Sequence, residues 1–286
     1  FAGEETVAIT VKEPVTEILL NAAELAIHSV SLATADGAVV EGTAALEEAT
    51  ERARLLFPTP IPAGEHRLTL RFTGTLYDCL HGFYRSTYKD APGASHTIAA
   101  TQFEATDARR GFPCWDEPAL KAVFGITLVV DHDLFAVSNA AELSRAPSTI
   151  HPGHDVVIFA DTMKMSTYLV AFVVGPLEAT GPVDVDGTPL RVVFPKGKGH
   201  LTGYALEVGA SCLRHFADYY GIAYPGDKLD LVAVPDFAFG AMENLGCVTF
   251  REILLLVDPT ATTQSELLNV TDVINHELAH MWFGDL

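Results

Sequence analysis

His276-Glu277-Leu278-Ala279-His280 is the group of residues in this sequence best suited to do chemistry. Two histidines four apart on a helix project from one face. Neutral imidazole nitrogens bind zinc well, and a pair on one helix presets part of the metal's geometry. The glutamate beside the first histidine is placed to take a proton from a metal-bound water. The pattern therefore predicts metal-assisted hydrolysis. A catalytic zinc takes three protein ligands, and this motif supplies two. An amphipathic core helix with two incidental histidines gives the same spacing, so the surroundings have to decide.

Those surroundings predict a helix. Leu267, Val270, Ile274, Leu278 and Met281 recur at three- and four-residue steps. Thr263-Gln264-Ser265-Glu266 reads as a capping box ahead of them, and Gly284-Asp285 offers an end. A second constellation, Gly240-Ala241-Met242-Glu243-Asn244, lies about thirty residues upstream. Its small residues leave the backbone approachable, so an extended peptide could pair there as an added strand, with Glu243 offering a carboxylate beside it. An ordinary turn with a solvated glutamate fits the same residues.

Composition narrows the partners. With 286 residues, 49% hydrophobic and 19% charged, the chain has room for two packed domains and is not of disordered type. Its net charge of −19 repels phosphate backbones and excludes nucleic acid as an expected partner. The same charge mildly attracts cationic ligands, the ammonium end of a peptide among them. No apolar run approaches membrane-spanning length, and the longest, Tyr168-Leu169-Val170-Ala171-Phe172-Val173-Val174, reads as a buried strand. No signal-like segment is visible, and the chain opens at Phe1 and not at methionine. Cys79, Cys114, Cys212 and Cys247 form no Cys-x-x-Cys pair and read as small buried hydrophobes in a reduced, cytoplasmic setting.

The fold class expected is multidomain, β followed by α+β. Residues 7–11, 66–72 and 125–130 are short β-rich runs, and Asp36-Gly37 and Pro152-Gly153 mark turns. They predict a β-sandwich or saddle-shaped assembly over the first 180 or so residues. Further on come a strand at 190–194, a helix with Leu206, Ala210, Leu213, Phe216, Ala217 and Tyr220 on one face, Gly221 to end it, and a strand at 229–234.

Gly240-Ala241-Met242-Glu243-Asn244 with His-Glu-x-x-His at this interval resembles the aminopeptidase N family of zinc metallopeptidases. Thr101-Gln102-Phe103-Glu104-Ala105 and Phe112-Pro113-Cys114-Trp115-Asp116-Glu117-Pro118-Ala119 resemble the family's segment ahead of its catalytic domain. Gly82-Phe83-Tyr84-Arg85-Ser86 and Met165-Ser166-Thr167-Tyr168-Leu169 also fit. The resemblance implies an N-terminal β-saddle domain over residues 1–183 and the first part of a thermolysin-like catalytic domain over 184–286. It implies His276 and His280 as ligands of one Zn2+ and Glu277 as general base. Glu243 and Glu104 would grip the free α-ammonium of a peptide, and Gln102 would lie near the first side-chain pocket. Gly240 and Ala241 would give the peptide backbone contacts, and Met242 would pack near its terminal side chain. Trp115 and Asp116-Glu117-Pro118 would hold a domain junction.

The activity so implied is removal of N-terminal residues from peptides, because anchoring the ammonium lays the first peptide bond over the metal. Family members place a third ligand, a glutamate, about nineteen positions beyond the second histidine, and an oxyanion-stabilising tyrosine further on. This sequence stops at Leu286 before either, so by itself it is expected to bind zinc weakly and be nearly inactive. Two alternatives stay open. An epoxide hydrolase shares the scaffold, though that branch tends to carry glycine where Ala241 stands. A non-catalytic interaction module would keep the fold without the chemistry.

Overall fold

The computed structural model describes residues 1–90, 92–258 and 260–286. Its first sheet has six strands in the order Ala2–Val11, Gly64–Gly74, Leu25–Thr34, Val39–Glu47, Arg52–Ile61 and Val15–Asn21. All neighbours are antiparallel. Period-two alternation explains the inward face: in Gly64–Gly74 the buried residues are His66, Leu68, Leu70 and Phe72. Leu68, Leu70 and Phe72 pack with Leu32, Leu55 and Ile61 into a core of their own. Glu5 lies on the half-buried, inward face of its strand, in register with Leu70.

Two smaller antiparallel sheets follow. One runs Phe135–Ser138, Phe172–Gly175, Ser95–Gln102, Gly82–Lys89; the other runs Glu142–Pro147, His154–Phe159, Thr127–Asp131. The apolar run at 168–174 is only half strand. Thr167–Leu169 forms a 3-10 turn, and the strand begins at Phe172. Asp116 is buried and accepts from Arg109 Nε at 2.9 Å, while Arg109 also binds Glu51 at 3.2 Å. These contacts tie the Trp115 segment to the first sheet, which is a structural task.

The remaining sheet is mixed, in the order Leu177–Ala179, Thr188–Pro195, Leu229–Val234, Cys247–Arg251, Ala241–Met242, with Val183–Val185 also paired to Thr188–Pro195. Thr188–Pro195, Leu229–Val234 and Cys247–Arg251 are parallel. Helix α1 (Gly203–Tyr220) makes the crossover between the first two and ends at Gly221, which takes the left-handed conformation with φ 66°. All six residues of Leu229–Val234 are buried, as a strand covered on both faces requires. Helix α2 (Gln264–His280) packs on α1. The sheet thus begins at Leu177, ahead of residue 184. One apolar core runs from Tyr84, Ile98 and Phe103 through Val192, Leu231 and Val248 to Ile274 and Leu278 of α2. Tyr84 Oη donates to Asp236 O at 3.0 Å across the same boundary. The architecture is that expected: β-sheets first, then strands mixed with helices.

Candidate metal and substrate site

Helix α2 is started by the capping box read from the sequence. Glu266 Oε2 accepts from the Thr263 backbone N–H at 2.8 Å, and Thr263 Oγ1 accepts from the Glu266 N–H at 3.3 Å. Val270, Ile274 and Leu278 bury one face. The four-residue spacing puts His276 and His280 on one face, and there they converge: their Nε2 atoms are 3.2 Å apart, with ring planes at 82°. Two zinc–nitrogen bonds of about 2.0–2.1 Å at a tetrahedral angle set their nitrogens about 3.3 Å apart. The pair therefore fits two positions of one tetrahedral metal. His280 donates from Nδ1 to the carbonyl of Phe283 at 3.2 Å. That bond keeps the proton on Nδ1 and leaves the Nε2 lone pair for a metal. Among the described residues no three His, Cys, Asp or Glu side chains converge as a ligand set.

Carboxyl groups crowd beside the imidazoles. Glu277 is 5% exposed and pushed up to about 8, first by burial, then by Glu243 and Glu104. Glu104 is raised by burial and by Glu243, with His280 opposing. Asp285 is 1% exposed and also pushed to about 8 by burial and by Glu243, with Lys121 opposing. Neither Asp285 carboxylate oxygen has a hydrogen-bond partner among the described residues. Glu243 is buried as well. The charge of Glu243 disfavours ionisation of Glu277, Glu104 and Asp285, and a cation seated among them would relieve that repulsion.

Each predicted residue has a definite place. Glu104 follows the strand Ser95–Gln102, whose last residue, Gln102, is buried and donates from Nε2 to Met242 Sδ at 3.5 Å. Ala241–Met242 is the edge strand of the mixed sheet, paired on one side only. Among the described residues no strand pairs with its other edge, which is where an added strand would pair. Gly240 continues the pairing with Cys247–Arg251 by accepting from Arg251 N at 2.9 Å; a β-carbon there would meet only ordinary contact, Leu254 at 3.5 Å. Thus Glu243, Glu104, Glu277, His276 and His280 come together, and Gln102 joins them through Met242.

Sequence reasoning missed Asp285 and Tyr168. Asp285 was visible only as a helix-ending residue. The Tyr168 hydroxyl is pushed up to about 12 by burial and by Glu243, Asp285 and Glu104, so it borders the same acids. Its place in a turn next to the site follows from contacts far away in sequence.

Comparison with known proteins gives the family. Residues 1–169 match the family model for the Peptidase M1 N-terminal domain, and residues 204–286 match that for the Peptidase family M1 domain. The whole chain aligns at 44% identity with 32% of Aminopeptidase M1-B of Oryza sativa subsp. japonica. It aligns at 42% with 30% of the Puromycin-sensitive aminopeptidase of Caenorhabditis elegans, and at 39% with 31% of Endoplasmic reticulum aminopeptidase 1 of Rattus norvegicus. The chain therefore spans about a third of the length of these curated relatives. On matches that take in both of its parts, this chain belongs to peptidase family M1.

Proposed function

We propose that these residues are part of a zinc aminopeptidase that removes N-terminal residues from peptides with a free amine. One observation carries this function: two imidazole nitrogens 3.2 Å apart on the helix whose buried Glu277 feels the charges of Glu243 and Glu104. When bound, zinc would polarise the scissile carbonyl and acidify a water. His276 and His280 would hold it through Nε2. Glu277 would take a water's proton and deliver it to the leaving amine, and its raised proton affinity suits the second half of that exchange. Glu243 and Glu104 hold the substrate ammonium, which sets the register of the chain and confines cleavage to its first bond. Gly240 and Ala241 align the peptide along the open edge, and Met242, touched by Gln102, borders the first side chain. The relatives named above, all aminopeptidases, support the same function.

The decisive experiment measures zinc content and hydrolysis of an alanyl chromogenic substrate and its N-acetylated form by the full-length protein. Expected are one zinc per chain and cleavage of the free amine only. Equal cleavage of both forms would refute amine anchoring. Residues 1–286 alone present two converging ligands, and they should bind zinc weakly with little turnover; tight one-to-one zinc with full turnover would refute that.

A further inference from the structure

The loop that carries Glu243 is held by a residue of the preceding β part. Asn139 is buried and uses its whole amide. Its Nδ2 donates to Leu169 O at 2.7 Å and to Leu245 O at 2.9 Å, and its Oδ1 accepts from Ala171 N at 2.8 Å. One side chain therefore joins the 3-10 turn bearing Tyr168 to the segment just after Glu243-Asn244. The backbone of Asn139 presses on the same segment. Gly246 has φ +74°, and a β-carbon on it would fall 2.2 Å from Asn139 O. No other residue type permits that approach. The buried Lys228 donates to Ser138 O at 2.5 Å and to Gly246 O at 2.6 Å, and pairs with Asp230 at 2.9 Å. Three hydrogen bonds from two side chains thus fasten the 244–246 turn to the strand end at Ser138 and Asn139.

We propose that Asn139 is a positioning residue for amine recognition: by tying Leu245 to Leu169 it fixes Glu243 against the turn of Tyr168, so the β part, and not the metal helix, sets where the substrate's ammonium sits. This rests on the aminopeptidase function proposed above. Glu243 lies two residues from the clamped carbonyl, so loosening the clamp displaces its carboxylate while the α2 ligands stay put. An interaction made equally with bound substrate and transition state appears in KM and not in kcat.

The test is Asn139→Ala in the zinc-loaded full-length protein, with alanine p-nitroanilide as substrate. Expected are zinc content unchanged, KM raised about tenfold and kcat within about threefold. A folded variant with KM within about twofold of the parent overturns the proposal, because a purely structural asparagine would lower the melting temperature and leave KM alone. Hydrogen exchange on the unaltered protein gives a second arm that needs no folded variant. Amides of residues 244–247 should exchange as slowly as those of 169–173; exchange more than about tenfold faster overturns the clamp. If the unaltered protein cleaves no free-amine substrate, the aminopeptidase function fails while the exchange arm still decides the clamp.

Discussion

The Nδ1–H of His280 donates to the carbonyl of Phe283 across 3.2 Å, and Gly284 sits against the same nitrogen. A β-carbon at Gly284 would be 3.0 Å from that Nδ1, on a backbone with φ +147° that favours glycine. Gly284→Ala should therefore turn the imidazole or break its bond to Phe283. Loss of a metal ligand's outer hydrogen bond weakens affinity about 10–100-fold. Competition against a chelator, read by a zinc indicator, should show at least a tenfold drop with the fold intact. Unchanged zinc affinity would mean that the Phe283 carbonyl does not orient the ligand.

Glu243 and Glu104 should differ in their weight on the ammonium. Glu243 is 8% exposed, whereas Glu104 is exposed to solvent. A charge-assisted pair gains strength as water is excluded, so Glu243→Gln should reduce kcat/KM for a free-amine substrate by about 2–3 kcal/mol and Glu104→Gln by about 1 kcal/mol. Steady-state kinetics on both variants decides the order. The reverse order would place the ammonium on the outer carboxylate.

Helix α2 was legible because its signals are local: a capping box four residues long and an apolar period that needs no partner to be seen. The same holds for Gly221 at the end of α1. What escaped were elements decided at long range. Residues 168–174 carry an apolar run with no period, so nothing in them distinguishes a turn from a strand. The turn Thr167–Leu169 is secured by Asn139, thirty residues away from Leu169 in sequence. Leu177–Ala179 joins the later sheet by pairing with Thr188–Pro195. The acidic site was half legible for the same reason. Glu277 and Glu243 lie in motifs whose residue types announce chemistry and Glu104 is reached through the family resemblance, while Asp285 and Tyr168 become neighbours of those acids only when the chain has folded.

Glu5 gives the fold a pH dependence. It faces inward, its Oε1 has no partner among the described residues, and burial pushes its carboxyl up to about 8 from an ordinary 4.5. The folded state therefore holds the proton more tightly than the unfolded state. Stability is complete with respect to this group below pH 4.5, falls as pH rises from there, and levels off above about 8. Because the side chain is only half-buried, the loss should be about 2 kcal/mol, less than the shift alone would give. Glu5→Gln should match the parent protein near pH 4.5 and exceed it in urea unfolding at pH 8.5. Parallel pH profiles for the two proteins would show that Glu5 titrates normally.

Lys228 should be the most damaging single loss outside the metal helix. It is buried and meets Asp230, itself 0% exposed, together with the carbonyls of Ser138 and Gly246. Burial raises the Asp230 carboxyl, but Lys228 and Arg191 outweigh it and hold the group below its usual range. Lys228→Met keeps the volume and removes the charge. It leaves Asp230 with the bidentate Arg191, at 2.8 Å on both arms, so the carboxylate is not abandoned. Breaking a buried pair at one partner costs about 3–5 kcal/mol, and the surviving arginine places this case at the lower end, about 3 kcal/mol. Urea unfolding measures it. The carbonyls of Ser138 and Gly246 lose a shared donor in the same step, so amides 244–247 should also exchange faster than in the parent protein at matched stability. A loss under about 1 kcal/mol would show that water replaces the ammonium, and that the joint between the β part and the mixed sheet is wetter than its burial implies.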